Sequence, residues 1–249
     1  MFLGFVLLAG ATIAVPLAMI AYWLTQEGAA AITPAQVSPA LLMSATASSL
    51  SYGIAGALVT TLLALPLGFL ATHYRGPLVT FLERTAYLAQ GVPGIVIALA
   101  IVALAVHTLN PLYQTALLLV IAYSILFLPL ALVSVRAAFT QAQPRLEESA
   151  RALGIGWLET VFRVVLPLAA PGLGAAAAMV FISVVTELTT TLLLAPIGTT
   201  TLATQVWVNT SGVAFAAAAP YAALLVSVSL ASSWLLASLF GRSNVLASS

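Results

Sequence analysis

The chain has 249 residues, 62% of them hydrophobic and only 5% charged, with a formal net charge of +1 and no cysteine. Soluble domains carry about a quarter of their residues as charged side chains, so a chain of this composition cannot cover itself with a water-compatible surface. Disulfides, thiolate metal sites and thiol nucleophiles are excluded, and the near-neutral charge, all of its basic residues being arginine, gives no sign of nucleic-acid binding.

Crossing roughly 30 Å of hydrocarbon takes a helix of about 20 mainly apolar residues, and runs of that length recur between short polar breaks. Inside lipid every backbone polar group must be satisfied, which leaves helices or a closed barrel. Barrel strands alternate apolar and polar residues, whereas these runs are continuous. The predicted fold is all-α, a polytopic membrane protein with residues 1–249 as one domain.

The first run, about 2–24, is longer than the apolar part of a cleaved leader and has no basic residue before it, so it is expected to be a retained span. A polar stretch leads to the second run, about 44–71, and a short loop from His73 to Arg84 follows. The third run, about 87–106, opens with GVPGIV, where Pro93 and Gly94 mark a helix start or bend. Asn110 and Pro111 close it as a turn. The fourth run, about 115–139, contains Pro129 as an expected kink; Pro66 and Pro171 suit bending in the same way. The longest polar segment, 140–163, with Val164 to Pro167 closing the 140–167 loop, precedes two further runs at about 168–194 and 215–240, which makes six spans.

Six spans put both termini, the 73–84 loop and the 140–167 segment on one side. Arg75, Arg84, Arg136, Arg145, Arg151, Arg163 and Arg242 all fall on that side or at its boundary. By the positive-inside rule it is expected to be the cytoplasm.

Within the 140–167 segment, Glu147 and Arg151 are four apart, as are Glu159 and Arg163, each with the acid first, the favourable order on a helix surface. Two short helices are expected, separated at Gly154 and Gly156, where positive φ is cheap. Pro167 ends the second helix or bends it into the next span. The ion pairs alone suit a solvated connector better than a docking element.

The spacing says more. Glu148, Ser149 and Ala150, then Gly154, then Val164, Leu166 and Pro167 reproduce the pattern EAA, three residues, G, nine residues, I-x-L-P, with Ser149 for the first Ala and Val164 for the Ile. This segment resembles the signature loop of the permeases of binding-protein-dependent ABC importers. The resemblance implies a coupling helix-turn-helix between spans 4 and 5 that docks on an ATP-hydrolysing partner through Glu147, Glu148, Ser149, Ala150, Arg151, Gly154, Leu166 and Pro167. It also implies two ATP-binding subunits, a second permease unit (a copy, a sister subunit or the other half of a longer product), an extracytoplasmic solute-binding protein and a bacterial cytoplasmic (inner) membrane. No GxxxxGK[ST] loop occurs; ATP and Mg are therefore assigned to the partner, with no cofactor and no enzymatic activity expected of this chain. No metal-ligand cluster is apparent, and His73 and His107 lie near opposite faces.

Further on, FISVVTELTTTLLLAPIGTTTLATQVW is similar to the ferric-iron branch of these permeases, with Thr186 where that branch usually has Lys. Ferric iron is the solute this implies; thiamine, polyamine or inorganic anion uptake stay open. Glu187 is expected well inside the fifth span, where an ionised side chain costs a few kcal/mol. With Thr186 and Thr190 it could line a polar passage, or it could tie the bundle together through hydroxyl hydrogen bonds. A short outer-face helix is expected around Thr199 to Trp207. An ion-gradient-driven secondary transporter would need several intramembrane ionisable groups; a non-transporting scaffold would use the loop for docking alone.

Overall fold

A computed structural model describes residues 2–26, 38–141 and 156–246. Among the described residues all regular structure is helical: α1 (Phe2–Leu24), α2 (Pro39–His73), α3 (Pro77–Leu88), α4 (Gly94–His107), α5 (Ala116–Gln141), α6 (Trp157–Thr186), α7 (Thr189–Leu194), α8 (Leu202–Ser211) and α9 (Phe215–Leu246). Long Leu, Val and Ala runs make helices because each N–H and C=O is satisfied within the segment. Hydroxyls join in: Thr72, Ser124 and Ser134 donate to the carbonyls four residues back, at Gly68, Val120 and Leu130. Pro16, Pro66, Pro129, Pro171 and Pro220 all sit inside helices that continue past them.

Among the described residues four helices are long and apolar enough to cross a membrane, Pro39–His73, Ala116–Thr140, Trp157–Thr186 and Phe215–Ser238, and a bent pair, Pro77–Gly91 with Gly94–His107, would make five. In α1 the stretch Gly10–Leu24 is apolar but shorter.

Several features differ from the sequence expectation. The 73–84 segment is mostly helix rather than loop, because Pro77 starts α3 at a position where its missing N–H costs nothing. The expected third span is not one straight helix. Its chain turns by 107° between α3 and α4, where a 3₁₀ turn (Ala89–Gly91) leads to the extended Val92 and to Pro93 as the N-cap of α4. The fifth span begins ten residues or so early, at Trp157, and breaks at Glu187, whose backbone is extended (φ −73°, ψ 119°), before the short α7.

The second helix of the polar segment does not end at Pro167. Residues Val161–Val165 form a π turn, with the Leu166 N–H donating to the Val161 carbonyl five residues back. A proline at 167 has no N–H to give and its ring crowds the carbonyl four residues earlier; the wider π turn accommodates both, and α6 runs on. Gly156 has φ −63°, so no left-handed conformation is used there. Residues 142–155, with Glu147, Glu148, Ser149, Ala150, Arg151 and Gly154, lie outside the described residues.

The helices group into two compact units. One joins the described parts of Met1–Leu50 with Gly198–Ser229. Its core is Ala45, Leu202 and Tyr221. There Thr201 and Thr204 cap α8 reciprocally, Ser49 Oγ accepts the Leu202 N–H at 2.8 Å, and the Trp23 and Phe215 rings lie 5.4 Å apart. The α8 helix is the one expected near Thr199 to Trp207.

The other unit, Ser51–Ile197 with Leu230–Ser249, is built on α5 packed along α6. Leu119, Tyr123 and Val135 of α5 meet Ala176, Val180 and Val184 of α6 in its core. Close approach depends on missing side chains: a Cβ on Gly172 would lie 2.6 Å from the Ala138 Cβ, and one on Gly68 2.6 Å from a Val135 methyl.

A candidate translocation site at two helix breaks

The breaks after α3 and after α6 face the same space. A cavity of about 610 Å³ is lined by Gln90, Pro93 and Gly94 from the first break, Phe127 and Pro129 from α5, and Ser183, Glu187 and Thr189 from the second. Its size is in the range of small-solute sites. The breaks arise from local chemistry. Pro93 cannot donate a helical hydrogen bond and favours an extended residue before it, and Val92 is extended. At the second break the Glu187 Oε1 accepts from the Thr190 backbone N–H (3.0 Å) and hydroxyl (3.1 Å), which caps α7. Unwound backbone at membrane depth survives where it is held by protein or lines a polar space.

Glu187 therefore sits at the end of a helix, not well inside one, and is half-buried. The Thr191 hydroxyl donates to the Glu187 carbonyl and receives the Tyr123 hydroxyl, each at 2.6 Å. Tyr123 is 1% exposed, so this chain of hydrogen bonds fastens the second break to α5 from the buried side.

The sequence-predicted passage residues separate. Glu187 lines the cavity. Thr190 is buried behind it as a donor to the carboxylate, and the exposed Thr186 spends its hydroxyl on the carbonyls of its own helix at Ile182 and Ser183. Sequence reasoning missed Gln90 and Ser183. Ser183 precedes Glu187 by one helical turn, a spacing that could have signalled a shared face; Gln90 carried no signal, because only the 107° turn brings it to Glu187's side.

Of the residues expected to couple to an ATPase, Leu166 and Pro167 are described and open the long α-helical part of α6, immediately after the π turn. Glu159 and Arg163 form the expected ion pair at 2.6 Å on an exposed face. Arg136 of α5 is paired with Glu83 of α3, a contact between residues far apart in sequence that fixes α3 against α5. Among the described residues no group of three or more His, Asp or Glu side chains is placed to hold a metal ion.

Long apolar helices, two of them broken beside a cavity that holds a carboxylate, define a polytopic membrane-integral protein. Residues 64–241 match the family model of the binding-protein-dependent transport system inner membrane component, and the chain belongs to this family of ABC importer permeases. It is 39% identical over 215 residues to the Fe(3+)-transport system permease protein FbpB 2 of Haemophilus influenzae, covering 86% of this chain and 42% of that one. It is 34% identical over 122 residues to the phosphate transport system permease protein PstA of Mycobacterium leprae, covering 47% of this chain and 40% of that one. The chain thus spans about two fifths of the length of these two relatives. Its fold is that of a chain of the MetNI methionine ABC transporter in an inward-facing conformation, with a TM-score of 0.64 at 18% identity over 80% of this chain and 96% of the other.

Proposed function

We propose that this chain is a permease unit of an ATP-driven importer that moves ferric iron across the bacterial inner membrane by alternating access, with ATP and Mg consumed by a separate pair of ATPase subunits and no cofactor held by this chain. Residues 1–249 act as one permease domain of six crossings, the third made of the 3₁₀ turn and α4 together, with both termini cytoplasmic as the arginine distribution favours. The 140–167 segment couples the unit to the ATPase through Glu147, Glu148, Ser149, Ala150, Arg151, Gly154, Leu166 and Pro167. A second permease unit completes the passage, in keeping with a ferric-iron relative about twice as long, and an extracytoplasmic binding protein delivers the solute.

The observation that carries the reading is Glu187 in the cavity between the two breaks. Among the described residues it is the only charged one lining that space, where Gln90, Ser183 and Thr189 add neutral oxygen groups. A fixed carboxylate in a low-dielectric cavity attracts a cation and repels an anion such as phosphate, and the similarity to a ferric-iron permease points the same way. The test is reconstitution with the ATPase and the binding protein in proteoliposomes. Ferric iron presented by the binding protein should raise ATP hydrolysis and accumulate inside; phosphate stimulation without an iron response would overturn the substrate, and no stimulation by any solute would overturn the importer mechanism.

A further inference from the structure

Helix α3 carries an outward apolar face that nothing in its own unit covers. Leu78, Phe81 and Leu88 are 69%, 66% and 68% exposed. They recur at the three- and seven-residue spacings that place side chains on one side of a helix. The opposite side is inward, with Ala86 buried and Glu83 paired to Arg136 of α5. Two cations flank the apolar face: Arg75 just before the helix and Arg84 within it are both exposed, and neither has an ion-pair partner among the described residues.

The direction of α3 follows from that of α4. The α4 sequence, GIVIALAIVALAVH, has no acidic residue and no Lys or Arg, so it belongs in hydrocarbon. The two axes differ by 107°, which is 17° beyond a right angle. With 14 residues α4 rises about 21 Å, less than the core thickness, a mismatch that tilting would only worsen; an upright α4 therefore lays α3 within about 20° of the membrane plane. A helix holding Glu83 and Arg84 beside Arg75 belongs at the headgroup level, where long arginine side chains reach phosphates while apolar neighbours sink.

We propose that α3 is an interfacial helix bound to an anionic lipid leaflet, with Leu78, Phe81 and Leu88 immersed at the acyl boundary and Arg75 and Arg84 against lipid phosphates. The ion pair to α5 and the turn at Gln90 to Gly94 then connect this surface anchor to the wall of the cavity that holds Glu187. The placement requires only that the chain is membrane-integral, so it stands or falls separately from the solute and from the ATPase coupling.

The absence of cysteine makes single-cysteine labelling direct. In vesicles of phosphatidylcholine and phosphatidylglycerol, a fluorophore on Leu78→Cys, Phe81→Cys or Leu88→Cys should be quenched most by nitroxide lipids labelled near the headgroup. One on Leu99→Cys in α4 should be quenched most by lipids labelled near the chain end. Quenching of the α3 positions by aqueous iodide alone, by no lipid at all, or best from the chain end would overturn the interfacial placement. A nitroxide on phosphatidylglycerol should quench Leu78→Cys more than one on phosphatidylcholine, and replacing Arg75 and Arg84 by Gln should lower that preference by about fivefold per arginine; an unchanged preference would overturn the headgroup contact.

Discussion

The Glu187 carboxylate accepts two hydrogen bonds from Thr190 and supplies the charge of the cavity, and substitution separates these contributions. Glu187→Gln keeps an oxygen that can cap α7 and removes only the charge. Its thermal stability in detergent should stay within about 0.5 kcal/mol of the parent, while transport in proteoliposomes should drop at least about tenfold, equivalent to ~1.4 kcal/mol. Normal transport with unchanged solute preference would show the carboxylate to be structural. Glu187→Ala also removes the cap, and thermal unfolding should show a further loss of about 1 kcal/mol. Tyr123→Phe deletes one buried link to Thr191 and leaves the Thr191 bond to the Glu187 carbonyl in place. The expected loss is about 0.6 to 1.7 kcal/mol, the range for hydrogen bonds between membrane helices, read from thermal unfolding in the same detergent.

At the scale of the element, α6 offers a matched pair of glycines. A Cβ at Gly172 would sit 2.6 Å from the Cβ and 3.1 Å from the Cα of Ala138, whereas Gly174 has nothing within 4 Å. Gly172→Ala should push α5 from α6 and cost about 1 to 3 kcal/mol; Gly174→Ala should be neutral or slightly stabilising, since alanine is the better helix former. Melting temperatures of the two variants decide it, and equal values would contradict the packing. The π turn at Val161–Val165 belongs to the same helix. Pro167→Ala restores an N–H and removes the ring, which lets the segment return to ordinary helical hydrogen bonding and rotates residues before it by about 100°, one residue's turn. The expected outcome in the reconstituted complex is ATP hydrolysis that no longer tracks transport. The pair Glu159 and Arg163 was legible from spacing alone, because helical geometry sets it. The pair Glu83 and Arg136 was not, because it depends on how α3 lies against α5.

For the molecule as a whole, the importer reading makes a prediction at the level of the complex. The purified chain should bring down an ATP-binding protein, and single cysteines at Ser149 or Ala150 should crosslink to that partner and not to the binding protein. Crosslinks to the binding protein instead would place the segment on the outer face and reverse the orientation. The composition, the continuous apolar runs and the signature spacing were enough to identify the class, since each is a property of the chain read in order. The cavity was only half legible: Glu187 stood out as an acid in an apolar run, while Gln90 and Ser183 did not.

The sequence by itself determined that lipid is the solvent and that helices are the answer, because hydrocarbon leaves a continuous apolar chain no other way to satisfy its backbone. It also determined where the polar segment with the importer spacing lies. Only the tertiary structure decided that two of the apolar runs are broken and that their breaks meet. Hydropathy averaged along a run is unchanged when a helix turns by 107° or stops at Glu187. Such breaks persist because Glu187 caps α7 at one of them, Tyr123 and Thr191 fasten it to α5, and both open on a shared cavity, contacts that no one-dimensional reading contains.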